Sequence, residues 1–138
     1  MKKFSILIAV TLSFLSCNHK NSFYISQSFT SGKWHITDYK KGNNEKKNPY
    51  TGFKFTFSRD YHVLASGNNH TYTGDWSVLE SDVTDDAPVT DIDFNILFTD
   101  KTGLSGLNGE WTIVKKTDNF LSLIHMDTEN TDFLIFEK

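Results

Sequence analysis

The stretch GFKFTFSRDYHVLASGNNHTYTGDWSVLE, residues 52–80, decides the fold of this 138-residue chain. Its first segment alternates phenylalanine with polar residues from Phe53 to Phe57, which is the period of a β-strand with one buried face. Residues 58–60 (SRD) and 67–69 (GNN) interrupt the alternation with residues that favour tight turns. The stretch therefore predicts three consecutive antiparallel strands joined by two hairpins.

The same alternation extends along the rest of the chain, where no segment has the spacing of an amphipathic helix. The further alternating segments are KWHIT, DIDFNILF, EWTIVKK, FLSLIHM and DFLIFEK, which bring the total to eight. Only the connections at residues 40–49 and 100–109 are long. Short connections imply a meander, and eight strands close into a small barrel that leaves no exposed edge. We therefore predict an all-β domain over residues 31–138, folded as an eight-stranded antiparallel up-and-down barrel.

Each tryptophan follows a glycine by two residues, in Gly32-Lys33-Trp34, Gly74-Asp75-Trp76 and Gly109-Glu110-Trp111. The segments between the three copies do not align, so an internal repeat is rejected. Residues i and i+2 share one face of a strand. We interpret each glycine as leaving space beside the indole, and as a point where a strand can bend to close the barrel.

Residues 1–16 have the pattern of an export signal. Lys2 and Lys3 precede an apolar run from Phe4 to Leu15, and Ser16 is small. The run is shorter than the roughly 20 residues that a membrane-spanning helix needs. The leader is therefore predicted to be a signal peptide that is removed.

Cys17 is the chain's only cysteine and follows the apolar run in FLSC, which resembles a bacterial lipobox. The resemblance implies cleavage before Cys17 and its acylation, for example with palmitate. The acyl chains would anchor the protein to a membrane, and residues 17–30 would be a lipidated tether whose end folds against the domain. Asn18, where an aspartate would suggest inner-membrane retention, favours the outer membrane of a Gram-negative bacterium. The alternative is an ordinary signal peptide that leaves a single free thiol.

Charge and motif content argue against several classes of function. The formal net charge is −3, and loss of Lys2 and Lys3 with the leader makes it −5, which argues against a nucleic-acid partner. His62 and His70 flank a hairpin without a third metal ligand, and the acidic residues 80–93 lack the glycine and glutamate positions of an EF-hand. A serine nucleophile motif is absent. We expect neither an enzyme nor a metal or cofactor.

The segments GKW at residues 32–34, YTGDWSVL in the middle and GEWTIVKKTDNFLSL near the end resemble lipocalins, and more closely the short lipocalin-like lipoproteins of bacteria. This resemblance implies a barrel that holds a small hydrophobic molecule, with the loop after the first strand covering the open end. That loop, KKGNNEKKNPY, carries four lysines that could attract an anionic head group, or it is simply solvated. Typical lipocalins pack an arginine from near the last strand under the tryptophan, and here Lys138 is the basic residue in that region.

The alternation assigns many large side chains to the inward face, where they are expected to fill so narrow a barrel. These are Trp34, Ile36, Phe53, Phe55, Phe57, Tyr72, Trp76, Ile92, Phe94, Phe98, Trp111, Ile113 and Phe133. A pocket is expected only at one mouth, where Tyr61, Tyr72 and Trp76 would gather around the rim. Asp38 and His125 are polar positions that the register places inward, where they would orient a ligand or face water. The candidate ligand-binding residues are Trp34, Tyr61, Tyr72, Trp76, Trp111 and His125.

Two functions remain open at this point. The first is a membrane-tethered barrel that binds a small hydrophobic or amphipathic molecule in the cell envelope. The second is an envelope module with a solid core that recognises another protein. Outward apolar residues, which often mark an interface, favour the second; they are Leu79, Leu97, Val114, Leu134 and Phe136.

Overall fold

The computed structural model describes residues 26–80, 92–99 and 103–138. It confirms the predicted all-β class, with one turn of helix at residues 26–29 and a 3₁₀ turn at Ser105–Leu107. Within the described residues no helix is long and apolar enough to span a bilayer. The predicted signal peptide, Cys17 and most of the acidic stretch lie outside these ranges. The strands are β1 His35–Lys40, β2 Lys54–Phe57, β3 His62–Gly67, β4 His70–Glu80, β5 Ile92–Phe98, β6 Gly109–Lys116, β7 Phe120–Met126 and β8 Thr131–Glu137.

The strands form one antiparallel sheet in the order β1-β8-β7-β6-β5-β4-β3-β2. Each strand from β2 to β8 lies beside its neighbour in the chain, and β1 pairs with β8. The two outer strands also meet, since Trp34 and Phe55 exchange backbone hydrogen bonds of 2.8 Å in both directions. The sheet is therefore a nearly closed barrel, as predicted.

The barrel has two distinct ends. The tether end carries residues 26–34 and the hairpin loops at 58–61 and 117–119. The loop end carries the segments 41–53, 68–69, 103–108 and 127–130. The predicted tight hairpin between β3 and β4 is confirmed. Asn68 and Asn69 have φ values of 52° and 62°, and a type I′ turn requires positive φ at both central residues.

Aromatic and aliphatic side chains fill the barrel interior. Every aromatic or aliphatic residue predicted to face inward is buried or half-buried except Phe133, which is 43% exposed. Phe29 is 0% exposed at the tether end, and Tyr50, Leu104 and Leu107 are buried at the loop end. Side chains therefore close both ends of the barrel.

The predicted phase of β8 is wrong. Leu134 and Phe136, predicted to point outward, are 0% exposed. Phe133 to Phe136 is an unbroken apolar run, so alternation alone does not define its inward face. Pairing decides the matter, because Leu134 and Phe136 lie opposite Leu123 and Leu121 of β7, which point into the core.

A bulge in β1 overturns the inward placement of Asp38. The pairing with β8 shifts between Ile36 and Asp38, and Thr37 and Asp38 are both exposed. An extra residue in a strand reverses the faces of the residues that follow. Tyr39 therefore follows Ile36 into the core in place of Asp38.

The interpretation that the glycine leaves space beside the indole is wrong at Gly32 and Gly74. A Cβ atom on Gly74 would lie 2.5 Å from the carbonyl oxygen of Leu97 and 2.8 Å from the Phe98 ring, so this glycine lets β5 approach. Gly32 has a φ of +79°, and the atoms within 4 Å of a Cβ there belong to Lys138. Close strand approach and left-handed backbone, and not space for an indole, explain these positions.

Candidate functional site

At the tether end, two indole N–H groups fasten the segments that cover the barrel. Trp34 Nε1 donates to the Phe29 carbonyl at 3.1 Å, and Trp76 Nε1 donates to the Ser58 carbonyl at 3.1 Å. The Lys138 ammonium lies 4.7 Å above the Trp34 ring, so a lysine makes the contact that the resemblance assigned to an arginine. Trp34 and Trp76 are 0% and 3% exposed. Their rings therefore stabilise this end and present little surface to a ligand.

At the loop end, the Trp111 indole likewise holds a covering segment by a hydrogen bond. Its Nε1 donates to the Leu107 carbonyl at 2.9 Å, which holds the 3₁₀ turn over the core. Leu104 and Leu107 are both 0% exposed beneath this turn. The third Gly-x-Trp thus closes the opposite end of the barrel from the first two.

The loop between β1 and β2 closes the rest of the loop end. Asn48 donates to the Ile36 carbonyl at 2.9 Å, and its Oδ1 accepts from the Tyr50 backbone N–H at 2.9 Å. The Tyr50 ring is buried 5.0 Å from the Tyr39 ring, and its hydroxyl would lie 2.5 Å from a Cβ atom on Gly106. The loop therefore covers the end as the resemblance implied, but its tyrosine enters the core.

Burial sets the ionisation of this tyrosine pair. Burial of the Tyr50 hydroxyl away from water raises its pKa far above the ordinary value, and the interaction with the neighbouring Tyr39 hydroxyl raises it further. Desolvation and the Asp132 carboxylate raise the pKa of Tyr39, although its hydrogen bond with Tyr50 acts in the opposite direction. Both hydroxyls therefore stay protonated at neutral pH.

An open polar cleft of about 350 Å³ lies on the outer side of this closed end. The Asp132 carboxylate accepts from the Gly42 backbone N–H at 2.8 Å, which joins the β1–β2 loop to the β7–β8 hairpin. His125 Nδ1 lies 2.7 Å from the Glu110 carbonyl. Because a carbonyl only accepts, Nδ1 carries the proton and Nε2 is an acceptor in the neutral ring. The polar side chains of the cleft include Lys41, Asn44, His125, Asp127, Asn130 and Asp132.

An exposed apolar patch lies next to this cleft on the outer face of the same hairpin. Met126 is 73% exposed and Phe133 is 43% exposed. Phe133 lies directly opposite Ile124, and Met126 is its diagonal neighbour. The loop end thus combines charged, amide and apolar groups on one surface.

Two shallower clefts lie at the tether end and share Tyr61 and Trp76. One, of about 360 Å³, extends along the outer side of β4 and β5; the other, of about 250 Å³, is bordered by Ser26, Thr30 and Arg59. The Tyr61 ring is 55% exposed and 5.7 Å from Trp76. It forms a wall between the two clefts.

The structure separates the candidate ligand-binding residues that the sequence suggested. Tyr61 and Trp76 do lie together at the tether end, and the Phe29 ring lies 5.4 Å from Trp34 and 5.9 Å from Trp76. Tyr72 is not with them, because its ring packs 6.1 Å from Phe53 and 6.0 Å from His70. Trp111 and His125 are adjacent at 5.8 Å, at the loop end. The six residues therefore do not form a single pocket.

Sequence reasoning missed the asparagines and aspartates of the loop-end cleft. Asn44, Asp127 and Asn130 lie in or beside turns, where Asn and Asp are common for backbone reasons, and Asp132 comes directly after such a turn at the start of β8. Their residue types therefore carry no functional signal. The two histidines near the β3–β4 hairpin have separate neighbours, His62 an Asp75 oxygen at 2.8 Å and His70 the Tyr72 ring. In the part of the chain that is described, no cluster of three His, Cys, Asp or Glu side chains could hold a metal ion.

Comparison with known proteins supports the fold. No protein-family model matches the chain, and no curated protein matches it. Among solved structures, it is similar to a DUF4847 family protein from Bacteroides vulgatus ATCC 8482, with a TM-score of 0.52 and 22% sequence identity. The match covers 82% of this chain and 96% of that one. At this level of identity the similarity shows the fold alone.

Proposed function

We propose that the protein is a lipid-anchored module of the cell envelope, in which a lipocalin-like barrel is a solid scaffold that recognises a partner protein at its loop end. The observation that carries this proposal is the filled interior. Phe29 covers one end, and Tyr50, Leu104 and Leu107 cover the other. The proposed role involves neither catalysis nor a cofactor.

Ring contacts across the interior argue against a ligand inside the barrel. Phe57 lies 5.8 Å from Phe94 and 5.9 Å from Phe136, and Phe55 lies 5.4 Å from Phe136. An eight-stranded barrel is only just wide enough to be filled by its own side chains or to hold one small ligand. A hydrophobic guest would have to displace these rings, so the solid-core hypothesis is favoured over the container.

The composition of the loop end supports a protein partner. Protein interfaces combine an apolar centre, often with Met and aromatic residues, with a polar rim. Here Met126 and Phe133 are exposed beside the cleft that contains Lys41 and Asp132. A partner loop with both apolar and polar side chains would suit this surface.

Site-specific crosslinking in cells tests the recognition surface. A photoactivatable amino acid at Asn130, beside the cleft, should give a discrete protein adduct, whereas one at the exposed Thr73 on the barrel wall should not. Met126→Ser with Phe133→Ser should remove most of that adduct. Equal adducts from both positions would contradict the proposal, and so would a small hydrophobic molecule that copurifies with the protein in place of an adduct.

Cell fractionation tests the anchor. Cys17→Ser should move the protein from the membrane fraction to the soluble fraction, because no acyl chains would remain to hold it. Membrane association that is unchanged by the substitution would contradict the anchor.

A further inference from the structure

The two ends of the barrel lie at different chain distances from the proposed anchor. Residues 26–29 form a helical turn whose Phe29 packs 5.4 Å from Trp34 and 5.3 Å from Phe94. The indole of Trp34 holds the Phe29 carbonyl at 3.1 Å. The chain therefore enters the barrel at a fixed point on the tether end.

The chain between Cys17 and Ser26 sets how far the barrel can stand from the membrane. Those nine peptide steps span at most about 30 Å when fully extended. The acyl chains would attach at Cys17 and the chain enters the barrel beside Ser26, so the anchor holds the tether end, and no other part of the barrel directly, within this distance of the bilayer.

Among the described residues, Tyr61 is the exposed large aromatic residue of that end. It has a φ of +66°, a conformation that bulky L residues rarely adopt. Its N–H donates to the Ser58 carbonyl at 3.1 Å, and its own carbonyl accepts from the Trp76 N–H at 2.9 Å. The fold thus holds this ring outward in an unfavourable backbone conformation, an arrangement that is common at functional sites.

We propose that the Tyr61 ring inserts into the headgroup region of the bilayer, so that the barrel stands on its tether end and the loop end points away from the membrane. This proposal rests on the lipid anchor proposed above. Tyrosine suits the membrane interface, because its ring has an apolar body and a polar tip. The ring borders two shallow clefts and is 55% exposed, with the Trp76 ring 5.7 Å away.

Charge distribution indicates that this contact is mainly apolar. Lys138 and Arg59 lie at the tether end, but Asp60 lies beside Tyr61, and the chain as a whole has a net negative charge. Attraction to anionic lipids should therefore contribute little. The contact between the tether end and the bilayer should therefore change little between low and high salt concentrations.

The test uses the lipidated protein, purified from envelopes, in vesicles of phosphatidylethanolamine and phosphatidylglycerol. Cys17 is the only cysteine of the chain and is acylated in this form, so an introduced cysteine is the only free thiol. A fluorophore is attached at Arg59→Cys, Thr73→Cys or Asn130→Cys, and a lipid with a nitroxide near its headgroup is the quencher. We expect quenching at residue 59 to be several-fold stronger than at residue 130. Equal quenching at both positions would overturn the proposal, as would the strongest quenching at residue 73, which would mean that the barrel lies on its side.

Tyr61→Asn isolates the role of the ring. Asparagine tolerates left-handed backbone, so the melting temperature should not fall. Quenching at residue 59 should drop to the level at residue 73, while the acyl chains keep the protein on the vesicles. Unchanged quenching would overturn the role of Tyr61. Protein that fails to float with the vesicles would show instead that the anchor itself is absent, and would overturn both proposals.

Discussion

At the scale of single residues, the three Gly-x-Trp sequences share a function in closing the barrel. Each indole N–H donates to a backbone carbonyl in a segment that covers an end, at Phe29, Ser58 and Leu107. The sequence predicts that the tryptophans are buried. It does not predict their hydrogen bonds, because these depend on where the connecting segments lie over the ends of the folded barrel.

The close approach of two strands at Gly74 leads to a first prediction. Gly74→Ala should lower the free energy of unfolding by about 1–3 kcal/mol, because its Cβ would collide with the Leu97 carbonyl and the Phe98 ring. Gly103→Ala is the matched control, since a Cβ there meets nothing within 4 Å. Urea unfolding of both variants checks this, and equal stabilities would contradict it.

The contact between Lys138 and Trp34 leads to a second prediction. Lys138→Met should lower the stability by about 0.5–1 kcal/mol, the usual range for an exposed cation over an aromatic ring. Lys138→Arg should keep the stability, because a guanidinium also binds an indole face. Thermal unfolding of the two variants measures the difference. A methionine variant as stable as the arginine variant would mean that the charge contributes nothing.

At the scale of elements, the number of strands, their order and the hairpin turns follow from the sequence alone. The phase of β8 does not, because residues 133–136 are all apolar and only pairing with β7 selects the inward face. The bulges at residues 36–38 and 113–115 also cannot be predicted from the sequence, because a single extra residue is not detectable in a short alternating pattern. These features depend on contacts between segments that are distant in sequence.

The helical turn at the tether end packs into the core, and we predict that it contributes to the stability of the domain. Phe29 is 0% exposed and lies within 6 Å of the rings of Trp34, Phe57, Trp76 and Phe94. Phe29→Ala should therefore lower the stability by about 3–5 kcal/mol. Gln27→Ala, at an exposed position of the same turn, should have little effect. Comparable losses in the two variants, measured by chemical denaturation, would contradict this role.

The buried tyrosine pair leads to a prediction about alkaline pH. Both pKa values are raised above the model-compound value of 10.0, so the pair's stabilising contribution is complete below that pH. Above it the unfolded chain ionises more readily than the folded chain, and stability falls as pH rises. Tyr50→Phe should reduce this loss between about pH 9 and 11. The measurement is the unfolding free energy of the wild type and of this variant across that range, and identical slopes would contradict the account.

At the scale of the whole molecule, the barrel could be predicted but its surface sites could not. Alternation identifies the aromatic residues that face inward, and therefore the filled core. The loop-end cleft instead depends on how loops far apart in sequence meet, as when Gly42 donates to Asp132. Candidate ligand residues chosen for their aromatic character, such as Trp111, are mostly structural for the same reason: their large rings are used to fill and close the barrel.

The molecule is a solid barrel with two different ends. The tether end is fixed by Trp34 and Trp76, and the loop end carries the polar cleft and the apolar patch of Met126 and Phe133. If the anchor and the docked orientation proposed above hold, a partner would meet the loop end first. Recognition would then depend on the surface, and the interior would serve stability.

The central claim is that side chains fill the barrel interior, and a crystal structure of the protein under xenon pressure tests it most directly. Xenon enters dry apolar cavities that are large enough to hold it. We predict no xenon among the rings of Phe55, Phe57, Phe94 and Phe136, which lie within 6.4 Å of one another in successive pairs. A well-occupied xenon site among these rings would contradict the solid core and would restore the hypothesis of a ligand inside the barrel.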